Sequence, residues 1–194
     1  MKRWLPIAGL FLGLAGATAF AAAPRRTAHI NDTVQLLPPI PGDLDNLEAK
    51  LAEFERATGI KMLVEFREHA PSGEEDKVPG AYMQKLASQS GTLQRGIMVV
   101  YFAEETDWRV WIGDGLIPRF VGKPGTVKQL TTTGAIHDVK EALLTAAHER
   151  SEVALAQLQK NLPGDEQPAQ DIKLRLQTEA ILDALIVKFS AATP

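Results

Sequence analysis

The sequence places one carboxylate between two glycines, in the segment Gly113-Asp114-Gly115. Glycine has no side chain, so a ligand or another chain segment can approach the backbone closely at such a point. The carboxylate can accept hydrogen bonds, pair with a cationic side chain or ligate a metal ion. Asp114 is therefore the first candidate functional residue.

A second glycine-containing segment, Gln94-Arg95-Gly96, is expected to lie beside the first. One segment precedes and the other follows the two strands of a predicted hairpin, and these two ends of a hairpin meet. Asp114 then has two interpretations, an ion pair with Arg95 at the rim of a sheet or a metal ligand. We favour the ion pair, which at a surface contributes only about 0 to 1 kcal/mol.

The histidines and serines of the sequence fit none of the common catalytic spacings. His137 and His148 are separated by about three helical turns, or about 16 Å, so they cannot share one metal ion. Residues 88–91 contain Ser90 without the preceding glycine of a nucleophile elbow, and residues 122–126 are too short for a phosphate-binding loop. Whether the protein is an enzyme stays open.

Two predicted strands position the glycine segments. Residues 97–102 are six consecutive apolar residues, mostly β-branched or aromatic, which predicts a strand buried on both faces at the centre of a sheet. Residues 108–112 alternate, with Trp108, Val110 and Ile112 on one face, as in a strand with one exposed face. The short acidic break between them predicts a hairpin.

Several helices are expected around this hairpin. Leu44, Leu47, Leu51 and Phe54 follow helical spacing and predict a helix over residues 44–58, with Asp43 as N-cap and Gly59 as C-cap. A strand at 60–66, a short helix at 80–90, a short helical piece at 127–130, a long helix from 135 and a helix at 170–192 complete the order. These elements predict an α/β fold, a small central mixed sheet flanked by helices, with a C-terminal helical hairpin.

Composition and charge exclude some classes of protein. With 194 residues, 45% of them hydrophobic, the chain has enough material for one sizeable core. A formal net charge of -3 and scattered Lys and Arg give no support for nucleic-acid binding. Cysteine is absent from the sequence, so no disulfide can form.

The first 23 residues are predicted to be a secretory signal peptide. Lys2 and Arg3 precede an apolar run and a small-residue segment that ends in Ala21-Ala22-Ala23. We expect an extracytoplasmic protein, periplasmic or secreted, with an uncleaved N-terminal anchor as the alternative. The remaining boundaries are predicted as a proline-rich extended arm at 24–42, an α/β domain at 43–150 and a helical extension at 151–194.

Four segments of this chain are similar to those of the TPM domain family, named in part for thylakoid lumen proteins. The segments are Ile30-Asn31-Asp32, the helix ending at Thr58-Gly59, the strand led by Gly96, and Arg109-Val110-Trp111-Ile112-Gly113-Asp114-Gly115-Leu116. They cover about residues 30–150. The resemblance implies a compact α/β fold outside the cytoplasm, often tethered to a membrane.

The resemblance also bears on activity. Some members of the family are described as acid phosphatases or bind divalent cations, and the matching residues here are Asp32 and Asp114, as weak ligands for Ca²⁺ or Mg²⁺. An acidic turn of the family is replaced by Gln94-Arg95-Gly96, and an arginine repels a cation beside it. We therefore expect no tightly bound cofactor.

Three functions remain open on this basis. The first is a non-catalytic binding or assembly module for an envelope or membrane-associated protein. The alternative is a weak divalent-metal-dependent phosphatase that uses Asp32 and Asp114. A third is a signal-anchored scaffold that dimerises through its C-terminal helices, since the sequence leaves the oligomeric state undetermined.

Overall fold

The structure is a computed structural model that describes residues 25–162 and 167–190 and shows a five-stranded mixed sheet with flanking helices. The strands are β1 (Arg25–Arg26), β2 (Ile30–Asp32), β3 (Lys61–Arg67), β4 (Gly96–Phe102) and β5 (Asp107–Ile112). The helices are α1 (Asp43–Thr58), α2 (Ala81–Gln89), α3 (Ile117–Val121), α4 (Val127–Thr132), α5 (Ala135–Lys160) and α6 (Gln170–Ser190), with a 3-10 turn over Asp114–Leu116. The predicted α/β fold with a C-terminal helical hairpin is confirmed. The predicted signal peptide lies outside the described residues.

The strands follow one another across the sheet in chain order, β1-β2-β3-β4-β5. β2, β3 and β4 are parallel, and α1 and α2 provide the crossovers that parallel neighbours need. β4 and β5 form the predicted antiparallel hairpin, and β4 is buried at every residue, as its apolar run indicates. β5 is one edge strand of the described sheet, and β1 is the other.

Helices cover the two faces of the sheet unequally. One face, which carries Val64, Val99 and Val110, packs against α1, α3, α4, α5 and α6 in the larger core. The other face carries Met98, Val100 and Phe102 and packs against α2 in a smaller core. The edge strand β5 therefore has a different helix layer on each side.

The helix α1 matches its predicted bounds but not its predicted N-cap. Gly59 adopts a left-handed conformation with φ 68°, and its N–H donates to the Glu55 carbonyl over 2.7 Å, as the C-cap prediction requires. Gly42 occupies the N-cap position, and Asp43 is the first helical residue. The Asp43 carboxylate instead accepts a hydrogen bond from Arg175 in α6, over 2.8 Å.

The C-terminal hairpin is part of the fold. α6 buries Ile181, Leu182 and Phe189 in the larger core, beside α1 and α5. The predicted arm at 24–42 likewise contributes β1 and β2 to the sheet. None of the helices in residues 25–162 and 167–190 combines the length and the apolar character of a membrane span.

Candidate functional site

Asp32 and Asp114, the two predicted metal ligands, lie at opposite ends of the sheet. The strand register places Asp32 level with Tyr101, near the end of β4. Asp114 follows Gly113, whose N–H donates to the carbonyl of Gly96 at the start of β4, over 2.9 Å. Five residues of strand separate these two levels, or about 16 Å. The structure does not bring the two carboxylates together on one ion.

The Asp32 carboxylate is fully buried and serves the fold. It accepts hydrogen bonds from the N–H groups of Leu36, over 2.8 Å, and Leu37, over 3.2 Å, and it pairs with Arg25 at 2.9 Å. Burial raises the pKa of Asp32, against the opposing effect of these hydrogen bonds and of Arg25. The carboxylate thus fixes the segment after β2 and joins it to β1.

The predicted rim of the site is a contact between two segments of this chain. The N–H groups of Asp114 and Gly115 donate to the carbonyls of Leu93, over 3.1 Å, and Gln94, over 2.9 Å. A Cβ placed on Gly113 would lie 2.7 Å from the carbonyl carbon of Gln94. The absence of side chains at these glycines is therefore explained by the close approach of another segment of this chain, the turn at Leu93 and Gln94.

Gly113→Ala is expected to destabilise the fold by about 1 to 2 kcal/mol, because the added methyl group overlaps backbone atoms that cannot move freely. Thermal and urea unfolding would measure the change. Gly122→Ala is not a suitable control because its φ of 72° strains any other residue. Gly73→Ala is suitable, since a Cβ there meets nothing within 4 Å, and a Gly113 variant as stable as this control would contradict the prediction.

The predicted ion pair between Arg95 and Asp114 is not formed: among the residues that the structure describes, no pair within 4.0 Å joins them. Arg95 is exposed to solvent. Asp114 instead lines a cavity of about 430 Å³ beside the edge strand β5. The prediction missed this because the turn over Asp114–Leu116 carries the carboxylate around the end of the strand.

This edge cavity is lined by the segment before α2, the end of β5, the start of α3, and α4 and α5, and it is mostly apolar. Its apolar lining includes Pro79, Ile112, Ile117, Val127 and Ile136. The polar side chains in the lining belong to Trp111, Asp114, Thr131, His137 and Lys140. An apolar pocket of about 300 to 1,000 Å³ with a few polar groups is the usual form of a small-molecule site.

Two side chains that line the edge cavity carry a donor without an acceptor in the described part of the chain. The indole Nε1 of Trp111 is buried and unpaired. The Lys140 ammonium makes no ion pair or hydrogen bond with residues 25–162 or 167–190, and burial alone lowers the pKa of Lys140. The Trp111 Nε1 is closed off from solvent, so the half-buried Lys140 is the one of the two that a ligand in the cavity can reach.

The sequence contains a weak signal for Lys140 and none for the role of Trp111. Lys140 is four residues after Ile136 and four before Leu144, so it lies on the apolar stripe of a predicted helix, where a charge is unusual. Trp111 alternates onto the opposite sheet face from Val110. Only the folded chain shows that both side chains reach one cavity.

The histidines do not form a metal centre with these residues. His137 lies on the rim with 75% of its side chain exposed, 3.9 Å from Glu141. Within the ranges that the structure describes, no group of three or more histidine or carboxylate side chains could hold a metal ion.

The fold and the edge cavity together define an α/β protein with a mixed sheet and a ligand-sized pocket at its edge strand. No protein-family model matches this chain, and the comparison with curated proteins finds no match. The similarity to the TPM family therefore stays a prediction from four sequence segments.

Proposed function

We propose that this chain is a TPM-like binding module that acts outside the cytoplasm, and that the edge cavity is its binding site. The predicted signal peptide supports the location. The α/β fold is of the class that the family resemblance implies. The observation that carries the proposal is Lys140, a half-buried lysine that pairs with no group among the described residues, in the lining of a mostly apolar cavity.

An unpaired lysine in an apolar cavity costs stability, which argues for a role in binding. Desolvation of an ammonium without a partner is unfavourable, whereas a bound acceptor offsets it. Proteins commonly tolerate such destabilising groups at functional sites. Asp32 provides the contrast. Its charge is buried as well, but it has a structural role and is fully paired with Arg25 and two backbone N–H groups.

The proposal is tested with anilinonaphthalene sulfonate, a fluorescent probe with an apolar body and one negative charge. We expect saturable binding to the purified chain, with about a tenfold loss in Thr131→Phe because the larger side chain narrows the cavity. Thr132→Phe is the matched control. Both threonines are exposed on α4 and donate to the carbonyl four residues earlier, but only Thr131 lines the cavity.

Both variants change exposed positions, so a difference in probe binding between them can be assigned to the cavity and not to a change in the fold. Circular dichroism and urea unfolding should show the same fold for the two variants and the parent chain. Absence of probe binding, or equal binding by Thr131→Phe and Thr132→Phe, would contradict the proposed site.

The phosphatase alternative makes a separate prediction. We expect calorimetric titration with Ca²⁺, Mg²⁺ and Mn²⁺ to show no binding in the micromolar range, because tight sites need several convergent oxygen ligands. Asp32 is already occupied by Arg25 and two backbone N–H groups. Micromolar binding that is lost in both Asp32→Asn and Asp114→Asn would favour the phosphatase instead.

We also propose that this binding module has a protein partner, an envelope or membrane-associated protein. α6 is an unsuitable surface because Ile181, Leu182 and Phe189 are buried in the core. The second half of α5 is more suitable, since Val153 is 60% exposed there. A partner at α5 would leave the edge cavity accessible.

A further inference from the structure

A second cavity, here called the turn cavity, lies beside the turn that joins β4 to β5 and has a volume of about 360 Å³. It is lined by the strand ends at that turn and by side chains of α5 and α6, and its lining includes Tyr101, Thr106, Trp108, Leu144, Gln177 and Ile181. No described residue lines both this cavity and the edge cavity. A site here is therefore separate from the proposed function and adds to it.

The side chain of Tyr101 places an unpaired hydroxyl at the turn cavity. Tyr101 is 6% exposed, and its hydroxyl forms no hydrogen bond with any residue in 25–162 or 167–190. Burial alone raises the pKa of Tyr101, which agrees with the absence of a partner among these residues. Unlike the indole nitrogen of Trp111, the Tyr101 oxygen is not closed off from solvent. Since a buried tyrosine hydroxyl is usually paired, this one is available to a ligand in the cavity.

Trp108 and Gln177 add an aromatic ring and a second free polar group. The indole Nε1 of Trp108 donates to the Gln177 Oε1 over 3.5 Å, which leaves the Gln177 amide nitrogen without an acceptor in the described part of the chain. This nitrogen is not closed off either. The Trp108 ring packs against Tyr101 and Phe66, with centroids 4.8 Å and 6.2 Å away. The ring is thus held in place before a ligand binds, which lowers the entropic cost of binding.

The charges around the turn cavity favour a neutral ligand. The described lining contains no lysine or arginine, and its carboxylate, Asp107, is already paired with Arg109 at 3.0 Å. His148 lies in the lining but is exposed to solvent. A charged ligand would lose hydration here without gaining a free counter-ion, which is unfavourable.

The remaining side chains indicate what kind of neutral ligand fits. The amide and hydroxyl groups of Thr106, Gln170 and Gln177 can each donate and accept hydrogen bonds, as the hydroxyl groups of a ligand do. Leu144 and Ile181 supply apolar surface beside the Trp108 ring. The electron-rich face of an aromatic ring packs well against C–H groups. A pyranose combines these features, because its ring has C–H faces and a rim of hydroxyl groups.

We propose that the turn cavity binds a neutral sugar in the pyranose form, with one face of the sugar ring against Trp108 and hydroxyl groups paired with Tyr101 and Gln177. Trp108 then determines affinity for the ring, and Tyr101 and Gln177 determine affinity for its hydroxyl groups.

Calorimetric titration of the purified chain tests the ligand class. The ligands are the methyl pyranosides of glucose, galactose, mannose and N-acetylglucosamine, with 2-(hydroxymethyl)tetrahydropyran as the same ring without its other hydroxyl groups. At least one pyranoside should bind with a dissociation constant of about 1 mM or lower and about tenfold more tightly than the bare ring. Failure of all the pyranosides to bind, or equal affinity for the bare ring, would overturn the proposal. So would tighter binding of the charged methyl glucuronide than of every neutral pyranoside.

The two tyrosines of the sequence provide a matched pair of variants. Tyr101→Phe removes the unpaired hydroxyl and should weaken pyranoside binding about fivefold without lowering the midpoint of thermal unfolding. Tyr82→Phe removes a hydroxyl outside the cavity, which accepts a hydrogen bond from Arg67 over 2.9 Å, and should lower the midpoint without changing the affinity. Pyranoside binding by Tyr101→Phe that equals binding by the parent chain would contradict the assignment.

Variants of glutamine and threonine locate the sugar. Gln177→Met should weaken pyranoside binding about fivefold, whereas Gln159→Met, at an exposed position of α5 outside the cavity, should not change it. Thr131→Phe, which narrows the edge cavity, should also bind the pyranoside as the parent chain does. Binding that is lost in Thr131→Phe and retained in Tyr101→Phe and Gln177→Met would place the sugar in the edge cavity and overturn this proposal. Failure of sugar binding altogether would leave the edge cavity, with its separate probe, unaffected.

Discussion

Replacement of Asp32 by Ala is expected to lower the free energy of unfolding by about 3 to 5 kcal/mol. The carboxylate is completely buried, and its removal leaves the N–H groups of Leu36 and Leu37 without their acceptor. It also leaves the guanidinium of Arg25, which is mostly buried beside it, without its counter-ion. Each of these losses carries a desolvation cost that the alanine cannot offset.

Urea unfolding at constant pH would measure this change, with Asp32→Asn as an isosteric second variant. The amide keeps one acceptor oxygen but loses the charge, so an intermediate loss is expected. Asp114→Asn is the matched control and should change the free energy of unfolding by less than about 0.5 kcal/mol, because Asp114 makes no ion pair within the described residues. A loss for Asp32→Ala as small as that of the control would show that Asp32 does not organise this part of the fold.

Local sequence patterns were sufficient to predict most elements of the fold. The apolar run at 97–102 is a strand because a short segment buried on both faces satisfies its backbone only within a sheet. The helix α1 follows from the spacing of Leu47, Leu51 and Phe54 and from Gly59. Both signals depend on neighbouring residues, so no knowledge of the tertiary arrangement is needed to interpret them.

The pairing of distant segments could not be predicted in the same way. The sequence shows that Asp32 follows a short apolar segment, but not that β2 pairs with β3 in a register that places Asp32 at the far end of the sheet from Asp114. The proline-rich segment suggested an arm, because prolines disfavour regular structure locally. Strand pairing by Ile30 depends instead on Val64, a partner far along the chain, and β1 pairs in turn with β2.

The residues that line the edge cavity could not be predicted from the sequence for the same reason. The glycine neighbours of Asp114 predict a site residue, and the structure shows that Asp114 lines a cavity, whose role stays a proposal. Two of its lining residues, Trp111 and Lys140, come from a strand and from a helix that starts 23 residues after that strand ends. Their meeting is a consequence of the packing of α4 and α5 on the sheet edge, which no local pattern encodes.

Replacement of His29 by Gln is expected to lower the free energy of unfolding by about 2 to 3 kcal/mol at mildly acidic pH, because hydrogen bonds between charged groups are lost. His29 is 6% exposed and lies in the turn between β1 and β2. Its Nδ1 is 2.6 Å from Glu48 and its Nε2 is 2.7 Å from Glu55, both in α1. Two carboxylates at the two ring nitrogens favour the doubly protonated imidazolium.

The contribution of His29 must therefore depend on pH. Burial lowers the pKa of His29, but the hydrogen bonds and charges of Glu48 and Glu55 outweigh it, so the pKa is raised above its ordinary 6.5. The stabilisation is then fully present below pH 6.5 and is lost as the pH rises through the raised value. Burial raises the pKa of Glu48, but hydrogen bonds from Thr27 and His29 lower it below 4.5, so its contribution is lost only as the pH falls below that value.

The difference in stability between the parent chain and His29→Gln is consequently expected to be largest between pH 4.5 and 6.5 and to shrink in alkaline solution. Urea unfolding of both proteins at about pH 5.5, 7.5 and 9 would show this dependence. His137→Gln is the control, since His137 is 75% exposed and its replacement should give a small difference at every pH. A constant or growing difference for His29→Gln as the pH rises would mean that His29 is neutral in the folded protein and that it joins β2 to α1 by packing rather than by charge.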